Sequence, residues 1–352
     1  MAVVMHVTEV SSGGVLPVIC ALSNGIASKH EVIVVYGIRP DTPKNIDKYF
    51  DSSIKLIPLY SLKRKLDLRM DYLAGKELRR IVKKYKPDIV HLHSTKAGYI
   101  GRIFLCGLRL RQYYTPHGYS FCKPDNKGLK SFIYKIAEIV LSHFNCTTIA
   151  CGKDEYEIAS KIGKRNLCIE NGLDLNFIDN TVIKTSINEH DFTVYTVGRI
   201  GPQKNPQMVN ELAKRIPEVP FVWLGGGADE HLLTSSNITV TGVLNREDVI
   251  KQAINMDCYI SCSPSEGLPI ALLEAMYLGK ICIVSNVTGN KELIDDTTGF
   301  LFDGIDECER LIRLAKDNPD IMSEKCIIAK NRIITNYDAS KMCRKYCDEL
   351  RL

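Results

Sequence analysis

Short β-branched runs alternate with longer helical stretches along the first half of this chain, and nothing else constrains its fold as strongly. Strands are expected over 3–7, 32–36, 89–93, 112–115, 147–150 and 167–169. Helices are expected between them, over 15–28, 71–85, 96–108, 129–144 and 153–162. Such alternation predicts an α/β fold: a parallel sheet with helices on both faces. "KPDIVHLHS" carries the pattern most clearly, because Pro87 stops a helix and a near-continuous apolar strand follows.

The alternation pauses over 170–191, a polar, turn-rich segment expected to be a linker. A second series then begins, with strands over 192–197, 221–224, 238–241, 258–261 and 281–284 and helices over 205–215, 246–254 and 270–278. Helical material closes the chain from 306 to 351. The reading is two doubly wound α/β domains facing across a ligand-binding cleft. Open parallel sheets bind ligands beyond the carboxyl ends of their strands.

Length and composition agree: 352 residues, 45% hydrophobic and 25% charged, suit a globular chain with two cores. No apolar run is long enough to span a bilayer. The amino terminus reads as a first strand, not a signal peptide, so a cytoplasmic protein is expected. The thirteen cysteines lack zinc spacings and read as small buried hydrophobes in a reducing compartment. Charge is uneven: residues 1–175 carry a balance of +11 and 176–352 one of −6. Ten basic residues and three acidic ones fall within 61–87. This stretch is either a solvated helix face or a surface for anionic lipid or a phosphate-bearing substrate. Few aromatics are interleaved with it, which argues against nucleic acid as a partner.

Three segments that follow predicted strands carry chemistry. In "EVSSGGVLPVI", Gly13 and Gly14 open a helix whose N-terminus favours an anion, although a simple tight turn reads equally well. The segment lacks the G-x-G-x-x-G fingerprint, which disfavours a nicotinamide dinucleotide. In "VGRIGPQKNP", Arg199 leaves a strand and Lys204 sits near a helix start, a pair able to hold a diphosphate unless both are merely surface charges. In "SPSEGLPIALLEAM", Pro269 suits a first helical turn, and Gly267 and Leu268 offer N–H groups at its positive end. Glu266 lies in the loop. Glu274 lies among apolar residues and must find a partner, a proton or a ligand. Carboxylates for hydroxyls beside cations for phosphates describe a nucleotide-sugar site.

"GRIGPQK" together with "SEGLPIALLEAMYLGKICIVSNVTGNKELIDDTTGFLF" resembles the family-four retaining glycosyltransferases of the GT-B fold, which has two Rossmann-like domains. Glu266 and Glu274 match the E-x7-E motif of that family, and Arg199 and Lys204 its diphosphate-binding pair. "HSTKAGYIGR", "YTPHGYSF" and "ENGLD" resemble its amino-domain and linker motifs. The resemblance implies that Glu274 binds ribose hydroxyls, that Glu266 binds hydroxyls of the transferred sugar, and that Glu266 and His117 are the catalytic residues. It further implies that Gly13 and Gly14 line the phosphates, that His117 reaches the sugar, and that Val243, Gly267, Leu268 and Pro269 complete the donor contacts. One departure is Gly226 in "WLGGGADE", where many relatives have an acidic residue.

The implied division is an acceptor domain over 1–176, joined by a returning helix over 336–352, and a nucleotide-sugar domain over 177–335. The implied reaction is retaining transfer of a hexosyl or N-acetylhexosaminyl group from a nucleotide-sugar, expected to be UDP-linked. The expected acceptor is a glycan or lipid-linked glycan in surface-polysaccharide assembly, met at the inner face of the membrane. No Asp-x-Asp pair occurs in the sequence, so neither a metal nor another cofactor is expected, and Arg199, Lys204 and a helix N-terminus would stabilise the leaving diphosphate. The alternatives are an epimerase or phosphorylase on the same fold, or a non-catalytic binding subunit. His91 and His93 are expected to be structural, and Lys96 and Arg102 to lie either near the acceptor or in solvent.

Overall fold

The computed structural model describes the chain except for residues 11–12, 40–41, 64–65, 123–125 and 187–189, and the side chains of 319–321. Ser11 and Ser12 of the glycine-rich segment, and Arg64 and Lys65 of the basic stretch, therefore lie outside the described residues. The chain forms two units: Met1–Gly172 with Ala339–Leu352, and Leu173–Asp338.

The first unit runs β1 (Val3–Thr8), α1 (Val15–Ala27), β2 (Glu31–Tyr36), β3 (Lys55–Pro58), α2 (Leu68–Tyr85), β4 (Ile89–His93), α3 (Thr95–Phe104), β5 (Arg111–Thr115), α4 (Leu129–Ser142), β6 (Thr147–Ala150), α5 (Lys153–Ile162) and β7 (Asn166–Cys168). Its seven strands pair in parallel in the order β3-β2-β1-β4-β5-β6-β7. The order reverses between β1 and β4. β4 is buried throughout, as a strand covered on both faces must be.

The second unit runs α6 (Leu175–Ile183), β8 (Val194–Val197), α7 (Pro206–Arg215), β9 (Phe221–Leu224), β10 (Ile238–Val240), α8 (Arg246–Ala253), β11 (Cys258–Ser261), α9 (Ile270–Tyr277), β12 (Ile281–Ser285), α10 (Asn290–Leu293), β13 (Phe300–Phe302), α11 (Ile305–Asp317) and α12 (Pro319–Asn336). Its six parallel strands are ordered β10-β9-β8-β11-β12-β13, with the reversal between β8 and β11. The last helix, α13 (Ala339–Leu350), belongs to the first unit, where Cys343 Sγ lies 3.5 Å from the Ala21 carbonyl of α1.

Local chemistry explains the element ends. Asp67 accepts from the backbone N–H groups of Arg69 and Met70, both at 3.1 Å, and so starts α2 three residues before the expected position. Lys86, at φ 48°, ends α2 in the left-handed region just before Pro87. The segment expected to be a linker holds α6, because Asp174 caps it by accepting from Phe177 N at 3.0 Å. β3 and β13 are additional to the strands expected from the sequence. Both are edge strands, of four and three residues, too short to show a period. The carboxy-terminal helical stretch divides into α11, α12 and α13. Among the described residues every cysteine is free, and Cys20, Cys146, Cys258, Cys282 and Cys308 are among those buried.

A buried ion pair joins α3 to α4. Arg102 Nη2 donates to Glu138 Oε2 at 2.8 Å, with each side chain 2% exposed. Tyr114 OH donates to Glu138 Oε1 at 2.9 Å, and Arg102 Nε donates to the Gly98 carbonyl at 3.0 Å. Arg102 is therefore neither in solvent nor available to an acceptor, which corrects both expectations for it. Lys96 is likewise buried, 2.6 Å from Asp71. Removing one member of a buried pair strands the other charge. Arg102→Ala is expected to cost about 3 kcal/mol in urea unfolding, whereas Arg79→Ala, a half-buried position, should cost distinctly less.

Candidate active site

The predicted site residues fall in both units, in the segments that follow the strands, and Lys204 and Glu266 meet at the β8–β11 reversal. In the second unit β8 and β11 are neighbours, so the loops that leave them are adjacent. The first loop carries Arg199, which is exposed, and Lys204. The second carries Glu266. Lys204 Nζ donates to Glu266 Oε1 at 2.6 Å, with side-chain exposures of 17% and 7%.

Backbone geometry holds both loops in place. Trp223 Nε1 donates to the Gly198 carbonyl at 2.8 Å, and Ile200 N to the Gly226 carbonyl at 3.1 Å. A Cβ at Gly226 would lie 3.3 Å from Gly242 Cα, so the small residue at 226 matches a tight backbone crossing. Gly289 adopts φ 82°, and a Cβ there would collide with the Gly267 carbonyl. This close approach fixes the loop that presents Glu266. Ser285 Oγ donates to the Ser263 carbonyl at 2.5 Å and ties the same loop to β12.

Gly267 and Leu268 precede α9, and Leu268 is buried. Pro269 is the N-cap of α9, not a residue of its first turn, and its carbonyl accepts from Leu272 N and Leu273 N, both at 3.1 Å. Glu274 is 8% exposed among the fully buried Leu272, Leu273 and Met276. Its partner is Arg246, whose Nε donates to Glu274 Oε1 at 2.7 Å. Arg246 opens α8 and also lies over the Phe177 ring at 4.8 Å. Sequence reasoning missed Arg246, because a partner 28 positions away has no local signature. Val243 is 76% exposed in the loop after β10.

In the first unit Gly13 and Gly14 follow β1, and His117 follows β5. Gly13 takes φ 59° and Gly14 is the N-cap of α1, so only Gly13 uses the left-handed region. Glu9, also missed, is buried and accepts from Ala97 N at 3.1 Å at the start of α3. His117, at φ 50°, follows β5. Buried Glu155 braces this turn, accepting from Gly118 N at 2.6 Å and from Cys151 N at 2.8 Å. Burial raises the Glu155 carboxyl above its ordinary range.

A line of imidazoles leads inward from His117. His93 Nδ1 lies 3.1 Å from His117 Nε2, and His93 Nε2 lies 3.0 Å from His6 Nδ1. His93 therefore positions His117, a role beyond the structural one expected of it. His91 Nε2 contacts Thr115 Oγ1 at 2.9 Å. Candidate ligand atoms of His6, His91 and His93 lie within 4.8 Å of one another, the one grouping among the described residues able to hold a metal ion. The 3.0 Å contact of His6 with His93 is, however, a hydrogen bond between the rings.

Burial lowers the pKa of His6 to about 4 and those of His91 and His93 well below the ordinary value, so all three are neutral near pH 7. His6 Nε2 is buried without a hydrogen-bond partner among the described residues. A buried orphan N–H is rarer than a bare lone pair, so the His6 proton belongs on Nδ1. It then donates to His93 Nε2, His93 Nδ1–H donates to His117 Nε2, and His117 carries its proton on Nδ1.

Family models match both units: "Glycosyltransferase Family 4" over residues 12–177 and "Glycosyl transferases group 1" over 177–332. An Escherichia coli relative, UDP-Gal:alpha-D-GlcNAc-diphosphoundecaprenol alpha-1,3-galactosyltransferase, is 31% identical over 331 residues, covering 85% of this chain and 84% of its own. The chain belongs to glycosyltransferase family 4. Its fold is that of GT-B enzymes. Sucrose-phosphate synthase from Thermosynechococcus elongatus superposes with a TM-score of 0.86 at 15% identity, covering 100% of this chain and 98% of its own. Anabaena HepE, in complex with UDP and glucose, superposes with a TM-score of 0.81 at 13% identity, covering 100% of both chains. The protein is thus a family-four glycosyltransferase with two Rossmann-like units.

Two outcomes test the histidine line in this glycosyltransferase. In the unfolded chain His6, His91 and His93 bind protons near pH 6.5; in the folded chain His6 does so only near pH 4, and His91 and His93 only well below their ordinary value. The unfolded state therefore holds more protons in that window, and stability should fall as pH drops through it and stay level above pH 7. Urea unfolding between pH 7.5 and 4.5 should show this, with a shallower slope in His6→Gln. Nitrogen-15 shifts of labelled histidine should find His117 protonated on Nδ1.

Proposed function

We propose that this glycosyltransferase transfers a hexosyl or N-acetylhexosaminyl group, with retention, from a UDP-sugar to a glycan or lipid-linked glycan in surface-polysaccharide assembly. The observation that carries the reading is the Lys204–Glu266 pair at the β8–β11 reversal, with Glu274 eight residues beyond it. The E. coli relative, by its name, uses UDP-Gal and a diphosphoundecaprenol-linked acceptor, which supports the donor and acceptor class proposed.

In this mechanism Lys204 and exposed Arg199 take the charge of the donor diphosphate. Lys204 exchanges Glu266 for phosphate, and the released Glu266 carboxylate accepts from hydroxyls of the transferred sugar. Glu274, held by Arg246, binds the ribose hydroxyls. Gly267, Leu268 and Pro269 lie against the donor with Val243. Gly13 and Gly14 line the phosphates, and His117 positions the sugar through its Nδ1–H. As the glycosidic bond breaks, positive charge develops on the sugar and negative charge on the leaving UDP. Fixed cations at that point stabilise the separation without reorganisation, so no metal is required. The leaving phosphate oxygen takes the acceptor proton. The second unit is accordingly the nucleotide-sugar domain, and the first, with its returning α13, the acceptor domain. The basic stretch 61–87 of the first unit is proposed to meet anionic lipid at the inner face of the cell membrane.

Glu266→Gln should lower turnover more than 100-fold yet leave UDP affinity unchanged or a few-fold tighter, because Lys204 loses its competitor for phosphate. Lys204→Ala removes a charge-assisted bond worth about 1.5–3 kcal/mol, so UDP affinity should fall at least tenfold. Titration calorimetry with UDP and turnover of UDP-galactose would measure both. Unchanged turnover in Glu266→Gln would refute its role, and an inverted anomeric signal in the product's proton spectrum would refute retention.

A further inference from the structure

The helix α4 faces the wrong way for a soluble protein. An amphipathic surface helix ordinarily turns its apolar stripe to the core. On α4, Leu129 is 74% exposed, Phe132 61%, Ile133 57%, Ile136 43% and Val140 54%. At ~100° per residue these five fall within an arc of about 100° on one side. The opposite side carries Glu138, locked inward by Arg102 and Tyr114. That buried network therefore sets the rotation of the helix and forces the apolar stripe outward. Exposed contiguous apolar patches mark protein or membrane contacts.

We propose that α4 is a membrane-docking helix that inserts its apolar stripe among the acyl chains of an anionic bilayer. The choice of occupant rests on charge. Lys130 and Lys135 are exposed and flank the stripe on its two sides, and Lys127 stands just before the helix. The only acid of α4 is the buried Glu138. Lysines that border an apolar stripe can bury their stems and keep their ammonium groups at lipid phosphates. A second copy of the chain fits less well: a two-fold pairing of α4 would bring lysines together with no acid on that helix to meet them. The neighbouring helices extend the same character. Tyr99 OH of α3 donates to the Tyr134 carbonyl of α4. Ile103 of α3 is 51% exposed, and Leu68 and Tyr72 of basic α2 are 88% and 55% exposed. No helix among the described residues is long and apolar enough to cross a membrane, so the contact is interfacial.

The inference is compatible with the lipid-linked acceptor proposed above but rests on α4 alone. The test uses the full chain with vesicles of phosphatidylcholine, with and without 30% phosphatidylglycerol. Wild type should sediment with the anionic vesicles and keep part of that binding in 0.5 M NaCl. Ile133→Glu with Ile136→Glu should lower the bound fraction at least tenfold without lowering Tm, since both positions are exposed. Phe132→Trp should shift its emission to the blue on binding and be quenched by brominated acyl chains. The buried Trp223 is the chain's only native tryptophan and supplies a constant background. Equal sedimentation of the double variant, absence of brominated-lipid quenching, or a dimer in analytical ultracentrifugation that the double variant abolishes would each overturn the proposal. UDP binding measured without vesicles reports on the transferase reading separately.

Discussion

Parallel pairing of β8 with β11 is the constraint on which the donor chemistry of this protein depends. The two strands are 60 or more residues apart in the chain, yet their shared register places the loops that leave them side by side. Opposite charges then meet at 2.6 Å between Lys204 and Glu266. The same reversal of strand order between β1 and β4 brings His6, His93 and, through β5, His117 into one hydrogen-bonded line. Both arrangements arise at or next to the points where crossover connections leave in opposite directions, the place where open parallel sheets bind ligands.

Charges beneath these surfaces are managed by pairing. Glu274 sits in an apolar helix at the expense of Arg246, and Glu138 at the expense of Arg102. Neither pair need contribute net stability relative to apolar residues. Their value is geometric. Arg246 orients the Glu274 carboxylate, and Arg102 fixes the rotation of α4. The buried histidines work the other way: burial keeps His6 and His93 neutral, so that hydrogen-bond direction, not charge, is passed to His117.

Much of the fold was legible because its signals are local. The Pro87 stop and the apolar runs of β1 and β4 are short-range chemistry. The same holds for the loop glycines and for the spacing of Glu266 and Glu274. What escaped was non-local or short. β3 and β13 are edge strands with too few residues to show alternation. α6 was hidden by polar neighbours. Arg102 and Lys96 read as acceptor-side or solvated helix positions because nothing in their own stretch announces Glu138 or Asp71. The outward stripe of α4 has the same period as an inward one, so pattern alone assigns it to the core.

By itself, the sequence determined most of the strands and helices, and that charged and glycine-rich loops follow the strands at their carboxyl ends, because propensity and turn chemistry act within a few residues. Only the tertiary structure decided who meets whom: Lys204 with Glu266, Arg246 with Glu274, His93 with His117, and α4 with solvent. Those pairings follow from strand order and helix rotation, which are set by packing over the whole unit and leave no mark in any short stretch of chain.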